Sequence, residues 1–142
     1  MASIDQRTFS ARLAVLPDTA AFAREFCDRH GLGRNDALRL GFVIEELFTN
    51  TVQHGYRHES DSPIRISLSV EEGRIALLYE DSAPAYDPLA LLATPPSGLS
   101  APVEERPIGG LGIHLVGQLA AGGRYAFENG RNRLWLTMSQ QD

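Results

Sequence analysis

The chain has 142 residues, a hydrophobic content of 43% and a formal net charge of -5, which are values typical of a single globular domain. No apolar run approaches the roughly 20 residues that span a bilayer, the first residues lack the pattern of a signal peptide, and no basic stripe suited to nucleic acid occurs. Cys27 is the single cysteine, so an internal disulfide is excluded and a cytoplasmic location is expected.

The chain has no lysine, since all thirteen of its basic residues are arginines. A P-loop requires its lysine, and the common protein kinases require a strand lysine on the phosphates. Schiff-base catalysis by lysine is excluded as well. We therefore expect any bound phosphate to be held by backbone amides, arginines and a metal ion.

The first elements are predicted to be a strand and a helix. Residues 6–16 have extended character, and Pro17 with Asp18 opens a helix over about 18–30. Glycines follow at 31 and 33, where the helix is expected to stop.

A second helix is predicted to run to about His54. Asn35 or Asp36 is expected to cap its start, and Gly55 is expected to cap its end. Its apolar residues recur at helical spacing; they are Leu40, Phe42, Val43, Leu47 and Phe48.

The pattern then changes to the alternation of a half-buried strand over 64–70, and a returning strand is predicted over 74–80. Residues 81–109 are rich in proline and are predicted to form a long loop with one short helix at "PLALL". A loop of this length inside a compact domain usually has a function.

The last elements are predicted to be a helix over about 110–120 and a hairpin of "RYAFE" and "RLWLTM" that turns at "NGRN". Helices and antiparallel hairpins therefore segregate along the chain. The sequence predicts an α+β fold, a two-layer sandwich with a mixed, mostly antiparallel sheet and helices on one face. No domain boundary is visible, so residues 1–142 are predicted to form one domain.

Glu46 and Asn50 lie four residues apart in the second helix and are expected to share a face. An asparagine oxygen suits Mg²⁺, which takes few protein ligands beside phosphate oxygens, and the glutamate suits a general base. The alternative interpretation is a solvated stripe without a function, since acids and amides are common on exposed helix faces.

The stretch "RPIGGLGIHLV", residues 106–116, places three glycines at the start of an apolar helix. Free amides at a helix N-terminus, approached closely at glycines, form a site for phosphate. Tight packing of the glycines against a neighbouring element is the alternative. Asp81, in "EDSAPAYDP", either accepts a hydrogen bond from an exocyclic amine or stabilises a turn.

Four stretches, "EELFTNTVQHGY", "YEDSAPAYDP", "ERPIGGLGIHLV" and "GRNRLWLTM", together resemble the anti-sigma-factor serine kinases. These belong to the Bergerat-fold ATPase superfamily, with the histidine kinases, the type II topoisomerase ATPase subunits and the large heat-shock chaperone. The resemblance extends over about residues 9–139.

The resemblance implies ATP and Mg²⁺ as ligands and assigns roles to individual residues. Asn50 matches the family's magnesium ligand, Glu46 the base that activates the substrate serine, and Asp81 the aspartate that binds the adenine amine. Glycines match those that close over the phosphates; they are Gly109, Gly110 and Gly112. Arg106 is placed in the lid, where a contact with the γ-phosphate is expected.

Two departures from the family pattern bear on nucleotide binding. The usual Asp-x-Gly-x-Gly reads Asp81-Ser82-Ala83-Pro84-Ala85 here, so Ala83 is expected to lie against the nucleotide with a methyl group that crowds it. The Gly-Thr that often precedes the last strand is replaced by Asn132-Arg133.

The implied function is phosphorylation of a serine on an anti-sigma antagonist of the STAS fold, with a sigma factor or another output protein as a second partner. Members of the family commonly dimerise, so a homodimer is also considered. The alternative is a non-catalytic or weakly nucleotide-binding regulatory module, which the alanines at 83 and 85 favour. Neither nucleic acid nor a membrane is expected as a partner.

Overall fold

The computed structural model describes residues 3–87, 120 and 122–141. These residues form five strands and two α-helices in the order β1 (Asp5–Ser10), α1 (Leu16–Arg29), α2 (Arg34–Asn50), β2 (Pro63–Glu71), β3 (Arg74–Asp81), β4 (Gly122–Glu128) and β5 (Arg131–Ser139). A 3-10 helix, Leu13–Val15, precedes α1, and a π-helix, Thr51–Gly55, continues α2. The short helix predicted at "PLALL" lies outside the described residues, as does the helix predicted over 110–120 except for its last position.

The five strands form one sheet in the order β1-β2-β3-β5-β4, so β5 lies between β3 and β4. Every pairing between these strands is antiparallel. The predicted α+β fold is confirmed, and the described part of the sheet contains only antiparallel pairs.

Two tight turns set the register of the hairpins. Glu72 and Gly73 join β2 to β3, and Asn129 and Gly130 join β4 to β5, all four with positive φ. Positive φ at both central residues defines the type I′ turn, whose twist matches that of antiparallel strands. The Asn-Gly pair of the second turn is therefore suited to its place.

One face of the sheet packs against both helices. The inward residues of the strands alternate along the chain, and the helices contribute their apolar stripes. The largest fully buried side chains come from both layers: Phe26, Phe48, Leu40, Ile44, Ile64, Ile66, Leu68, Ile75, Leu77, Leu136, Met138 and Val43. This core confirms the two-layer arrangement.

α1 begins two residues earlier than predicted, at Leu16, with Pro17 in its first turn. Proline is favoured there because its missing N–H has no partner inside the helix. The helix ends at Arg29, and Gly31 has a φ of 67°, so the predicted stop at this glycine is found.

The predicted caps of α2 are wrong at both ends. Gly33 is the N-cap, and no side chain caps the helix. Asp36 instead lies buried in the first turn, where its Oδ1 accepts hydrogen bonds from Arg39 and from the backbone N–H of Gln141. At the other end the chain continues as the π-helix through Gly55, and the residue with positive φ is Arg57.

The sheet face opposite the helices carries a charged cluster. Glu80 is buried between Arg65 and Arg133, which are its neighbours on β2 and β5. Among the described residues, neither helix has the length and apolarity needed to cross a membrane.

Candidate active site

The last turns of α2 present Glu46 and Asn50 beside the core. Leu47 and Phe48 are buried and fix the orientation of the helix, Glu46 and Asn50 are half-buried, and Glu45 is exposed. Positions four apart share a helix face, so the structure places Glu46 and Asn50 together as the spacing predicts.

The environment of Glu46 favours the protonated form of its carboxyl. Burial raises the pKa of Glu46, and the negative charge of Glu45 raises it further. Among the described residues, none forms a hydrogen bond or an ion pair with Glu46. A partly desolvated, unpaired carboxylate of raised pKa is a better proton acceptor than an ordinary surface glutamate.

The π-helix begins at Thr51 and turns this side chain towards β3. Thr51 is buried, and its Oγ1 lies 3.1 Å from the carbonyl oxygen of Leu47, 2.8 Å from the hydroxyl of Tyr79 and 3.0 Å from Asp81 Oδ2. Single-turn π-helices occur frequently at functional sites because they redirect side chains. Here the irregular turn brings the end of α2 to the end of β3.

Asp81 is the last residue of β3 and is only 2% exposed. Its Oδ1 accepts hydrogen bonds from the backbone N–H of Ala83 at 3.1 Å and from Asn132 Nδ2 at 2.9 Å. Its Oδ2 accepts from Thr51 at 3.0 Å and from the hydroxyl of Tyr86 at 3.4 Å. Both oxygens are thus engaged, by four donors from three parts of the chain.

Asn132 fixes the chain that follows Asp81. The two hydrogens of its Nδ2 are shared among Asp81 Oδ1 and the carbonyl oxygens of Ala83 and Pro84, which lie 3.0 and 3.2 Å from Nδ2. Its Oδ1 accepts from the backbone N–H of Tyr86 at 3.1 Å and from the hydroxyl of Tyr125 at 2.5 Å. One buried amide therefore contacts three backbone groups of residues 83–86, a segment that forms no regular element.

Sequence reasoning missed Asn132 as a site residue. The last strand was predicted to begin at about residue 133, whereas β5 begins at Arg131 and pairs Asn132 with Asp81. The Asn-Gly turn sets the pairing of β4 with β5, but no local signal sets the pairing of β5 with β3. The replacement of the family's Gly-Thr by Asn132-Arg133 was the one clue in the sequence.

Ala83 is buried and packs against the π-helix. A Cβ placed on Gly55 would lie 3.1 Å from the Cβ of Ala83 and 3.4 Å from Cε1 of Tyr86. A side chain at position 55 would therefore be in tight contact with Ala83 and Tyr86, which favours a glycine there. Its predicted role as a helix cap is replaced by this close approach of two segments.

Tyr86 joins the two halves of the site. Its hydroxyl lies 3.3 Å from Thr51 Oγ1, and the neighbouring Asn50 side chain acts to lower the pKa of Tyr86. Burial raises the pKa of Tyr86, as does the charge of Asp81, so the phenol remains protonated and can donate. The hydroxyl of Tyr86 is thus influenced by both Asn50 and Asp81. Thr51 and Tyr86 lie in the stretches "EELFTNTVQHGY" and "YEDSAPAYDP", but the sequence assigned no role to either residue.

Among the described members of the predicted site, Asp81 and Ala83 are hydrogen-bonded to each other at the end of β3, and Glu46 and Asn50 lie one turn apart at the end of α2. The remaining members, Arg106, Gly109, Gly110 and Gly112, lie outside the described residues.

Comparison with known proteins gives a match to the family described as "Histidine kinase-like ATPase domain" over residues 9–138. The chain is also 32% identical over 93 residues to the serine-protein kinase RsbW of Bacillus cereus (strain AH820), which covers 65% of this chain and 58% of the relative. The chain thus matches little more than half the length of this curated relative.

Two solved structures share the fold. The RsbU and RsbW domains of a Mycobacterium tuberculosis protein superpose with a TM-score of 0.66 at 17% identity, covering 97% of this chain and 32% of that one. The SiaB–SiaC complex of Pseudomonas aeruginosa gives a TM-score of 0.61 at 9% identity, covering 94% of this chain and 88% of that one.

These findings confirm the resemblance that the four sequence motifs indicate. The family match extends over nearly the whole chain, both structural neighbours share its fold, and a family of ATPase domains implies that ATP is used. The chain belongs to the histidine kinase-like ATPase domain family.

Proposed function

We propose that this chain is an ATP-dependent protein serine kinase of the anti-sigma type. The observation that carries the proposal is the pair of half-buried residues Glu46 and Asn50 on one face of α2, beside the buried carboxylate of Asp81. The similarity to serine-protein kinases supports phosphoryl transfer to a serine.

Each of these residues has a separate task in the proposed reaction. Asp81 accepts a hydrogen bond from the adenine amine, and Glu46 accepts the proton of the substrate hydroxyl. Asn50 provides an oxygen suited to Mg²⁺, which would supply positive charge against the phosphates. The raised pKa of Glu46 fits its task, because a base is most effective when its pKa approaches the working pH.

The proposed protein substrate is a serine on a STAS-type anti-sigma antagonist. The support is the similarity to RsbW and to a structure in which SiaB is bound to SiaC. A sigma factor as second partner, and a homodimer, are part of the same proposal.

A non-catalytic regulatory module is the second candidate function. It is favoured by the carboxylate of Asp81, whose oxygens are already engaged by protein donors, and by Ala83, which is packed against Gly55. Such a module would bind its partner without transferring a phosphoryl group.

Thermal unfolding with and without Mg²⁺ and ATP separates the two functions. A ligand at a hundred times its dissociation constant adds about 2.7 kcal/mol to the free energy of unfolding. We expect stabilisation of this order for the wild type and clearly less for Asn50→Ala. Gln53→Ala is the matched control, since Gln53 is an exposed amide on the adjoining π-helix. A wild type that is not stabilised by millimolar nucleotide would favour the non-catalytic module.

A further inference from the structure

The hydrogen-bonding capacity of Asp81 is filled by the protein itself. A carboxylate has two oxygens with about four acceptor positions, and donors lie at both oxygens in pairs. An adenine amine that binds Asp81 must therefore displace one of these donors, and the four differ in how easily they can leave.

Three of the donors are fixed by the fold. Thr51 belongs to the π-helix, Asn132 is paired with Asp81 inside the sheet, and the N–H of Ala83 forms a local turn with Asp81. If Thr51 or Asn132 turned away from Asp81, it would also lose its hydrogen bonds to Tyr79 or to the carbonyl groups of residues 83 and 84. The N–H of Ala83 could leave only by a change of the backbone. Tyr86 is the exception among the side-chain donors, because it lies in a segment without regular structure and its hydroxyl is the most distant of the four donors, at 3.4 Å.

The Tyr86 ring also fills the space that a base would need. Its hydroxyl is placed between Asp81 Oδ2 and Thr51 Oγ1, and its Cε1 lies 3.4 Å from a Cβ built on Gly55. The ring is therefore inserted between β3 and the π-helix with its donor directed at Asp81, an arrangement that a flat base with an exocyclic amine would share.

The backbone of Tyr86 is held independently of its side chain. Its N–H donates to Asn132 Oδ1 at 3.1 Å, and Asn132 also binds the two preceding carbonyl groups. Rotation of the side chain would leave these hydrogen bonds intact. The hydroxyl bond to Asp81 is long, at 3.4 Å, so it is the weakest of the four and the least costly to break.

We infer that Tyr86 occupies the adenine subsite of this chain and that a nucleotide binds by exchanging its exocyclic amine for the Tyr86 hydroxyl at Asp81. The inference rests on the proposed function, in which Asp81 binds adenine, and it adds a competing residue within the same site. The apparent affinity for ATP is then reduced by the fraction of molecules in which the ring occupies the subsite.

Calorimetry on the full chain tests this exchange. In the presence of Mg²⁺, Tyr86→Phe should bind ATP about three- to tenfold more tightly than the wild type, because the competing ring loses the hydroxyl that contacts Asp81 and Thr51. Tyr86→Ala should bind at least as tightly as Tyr86→Phe. Tripolyphosphate, which has no base, should bind the wild type and both variants equally.

Gln53→Ala is the control, since Gln53 is exposed on the π-helix and, among the described residues, forms no hydrogen bond with Asp81 or Tyr86. Its affinity for ATP should stay within about twofold of the wild type, a change of about 0.4 kcal/mol. ATP binding that appears only after Tyr86 is replaced would support the inference strongly.

The contrary results are distinct for the two proposals. If the wild type binds ATP and both Tyr86 variants bind it equally or more weakly, the ring is not a competitor, and the proposed function is unaffected. If neither the wild type nor any variant binds ATP, the inference is wrong, and the proposed ATP-dependent kinase function is contradicted as well.

Discussion

At the scale of single residues, Glu80 shows how the sheet accommodates a buried charge. Its carboxylate accepts hydrogen bonds from Arg65 at 2.9 and 3.1 Å and from Arg133 at 3.0 Å. Burial acts to raise the pKa of Glu80, but the hydrogen bonds and charges of the two arginines outweigh it and lower the pKa below its ordinary value. The cluster therefore stabilises the folded state only while Glu80 is ionised.

Glu80→Gln should lower the free energy of unfolding at pH 7 by about 1 to 3 kcal/mol, the usual contribution of hydrogen bonds to a charged group. A carboxyl with a lowered folded-state pKa stabilises above its unfolded pKa of about 4.3 and loses this contribution as pH falls through the folded value. The difference between wild type and variant should therefore shrink below about pH 4. Urea unfolding of both proteins at several pH values measures this difference in the free energy of unfolding.

Glu25→Gln, on an exposed turn of α1, is the control and should differ little from the wild type at any pH. Carboxyl groups titrate at about pH 4. If the loss of unfolding free energy caused by Glu80→Gln stays constant between about pH 7 and about pH 3.5, or grows as the pH falls, this account of the cluster is wrong.

Candidate site residues could be named from the sequence only where a motif contains them. Glu46, Asn50 and Asp81 stand in stretches with a specific pattern, and the structure brings them to one site. Asn132 and Tyr86 also lie in such stretches, but the pattern assigns them no role. Their contacts depend on the pairing of β5 with β3 and on an irregular segment, which are properties of the assembled sheet.

At the scale of elements, the π-helix after α2 is the main departure from a regular pattern. Helical spacing of apolar residues predicts that the chain continues to about His54, and it does, but with wider hydrogen bonding from Thr51 onward. Periodicity does not distinguish an α-helix from a π-turn of five residues. The close packing of Gly55 against Ala83 accounts for the glycine at this place.

Gly55→Ala should destabilise the fold, since the added methyl group would lie 3.1 Å from the Cβ of Ala83. Overpacking of this kind costs about 1 to 3 kcal/mol. In a chain that also carries Ala83→Gly, the cost of Gly55→Ala should be clearly smaller, because the opposing methyl group is gone. Urea unfolding of the four proteins in this double-mutant cycle gives the coupling energy.

Gly41→Ala is the control. Gly41 lies in α2, which the π-helix continues, and nothing lies within 4 Å of a Cβ added there. It should be neutral or stabilise by up to about 1 kcal/mol, as expected for glycine to alanine in a helix. An equal cost of Gly55→Ala with and without the methyl group of Ala83 would show that the two segments do not press on each other.

The elements themselves were more predictable than their ends. The alternation in β2 and β3 and the Asn-Gly turn before β5 give strands at the expected places. The N-terminus of α2 was misplaced because Asp36 resembles a cap but is buried among tertiary partners. The tendency of aspartate to cap a helix is overridden here by a hydrogen bond from the backbone N–H of Gln141, which is more than a hundred residues away in the chain.

At the scale of the whole molecule, the sheet and the two helices position the end of α2 beside the end of β3. The α+β class follows from the segregation of helices and hairpins along the chain. The strand order could not be read from the sequence, since β5 pairs with β3 across a long intervening segment. The extent of the single domain, residues 1–142, stays a prediction.

The central claim is that the chain transfers phosphoryl groups with Glu46 as the base. The most direct test is single-turnover phosphorylation, by ATP with Mg²⁺, of a STAS-type antagonist that co-purifies from the native cell. The wild type is compared with Glu46→Gln and Glu45→Gln. Glu45 is rotated by about 100° from Glu46 around the helix and is exposed.

We expect Glu46→Gln to bind ATP and the antagonist within a few-fold of the wild type but to phosphorylate at least about a hundredfold more slowly, since a positioned base contributes about 10² to 10⁴ in rate. Glu45→Gln should phosphorylate nearly as fast as the wild type. Equal rates for all three proteins would contradict the role of Glu46. A wild type that binds the antagonist and never phosphorylates it would contradict the kinase function and favour a non-catalytic regulatory module.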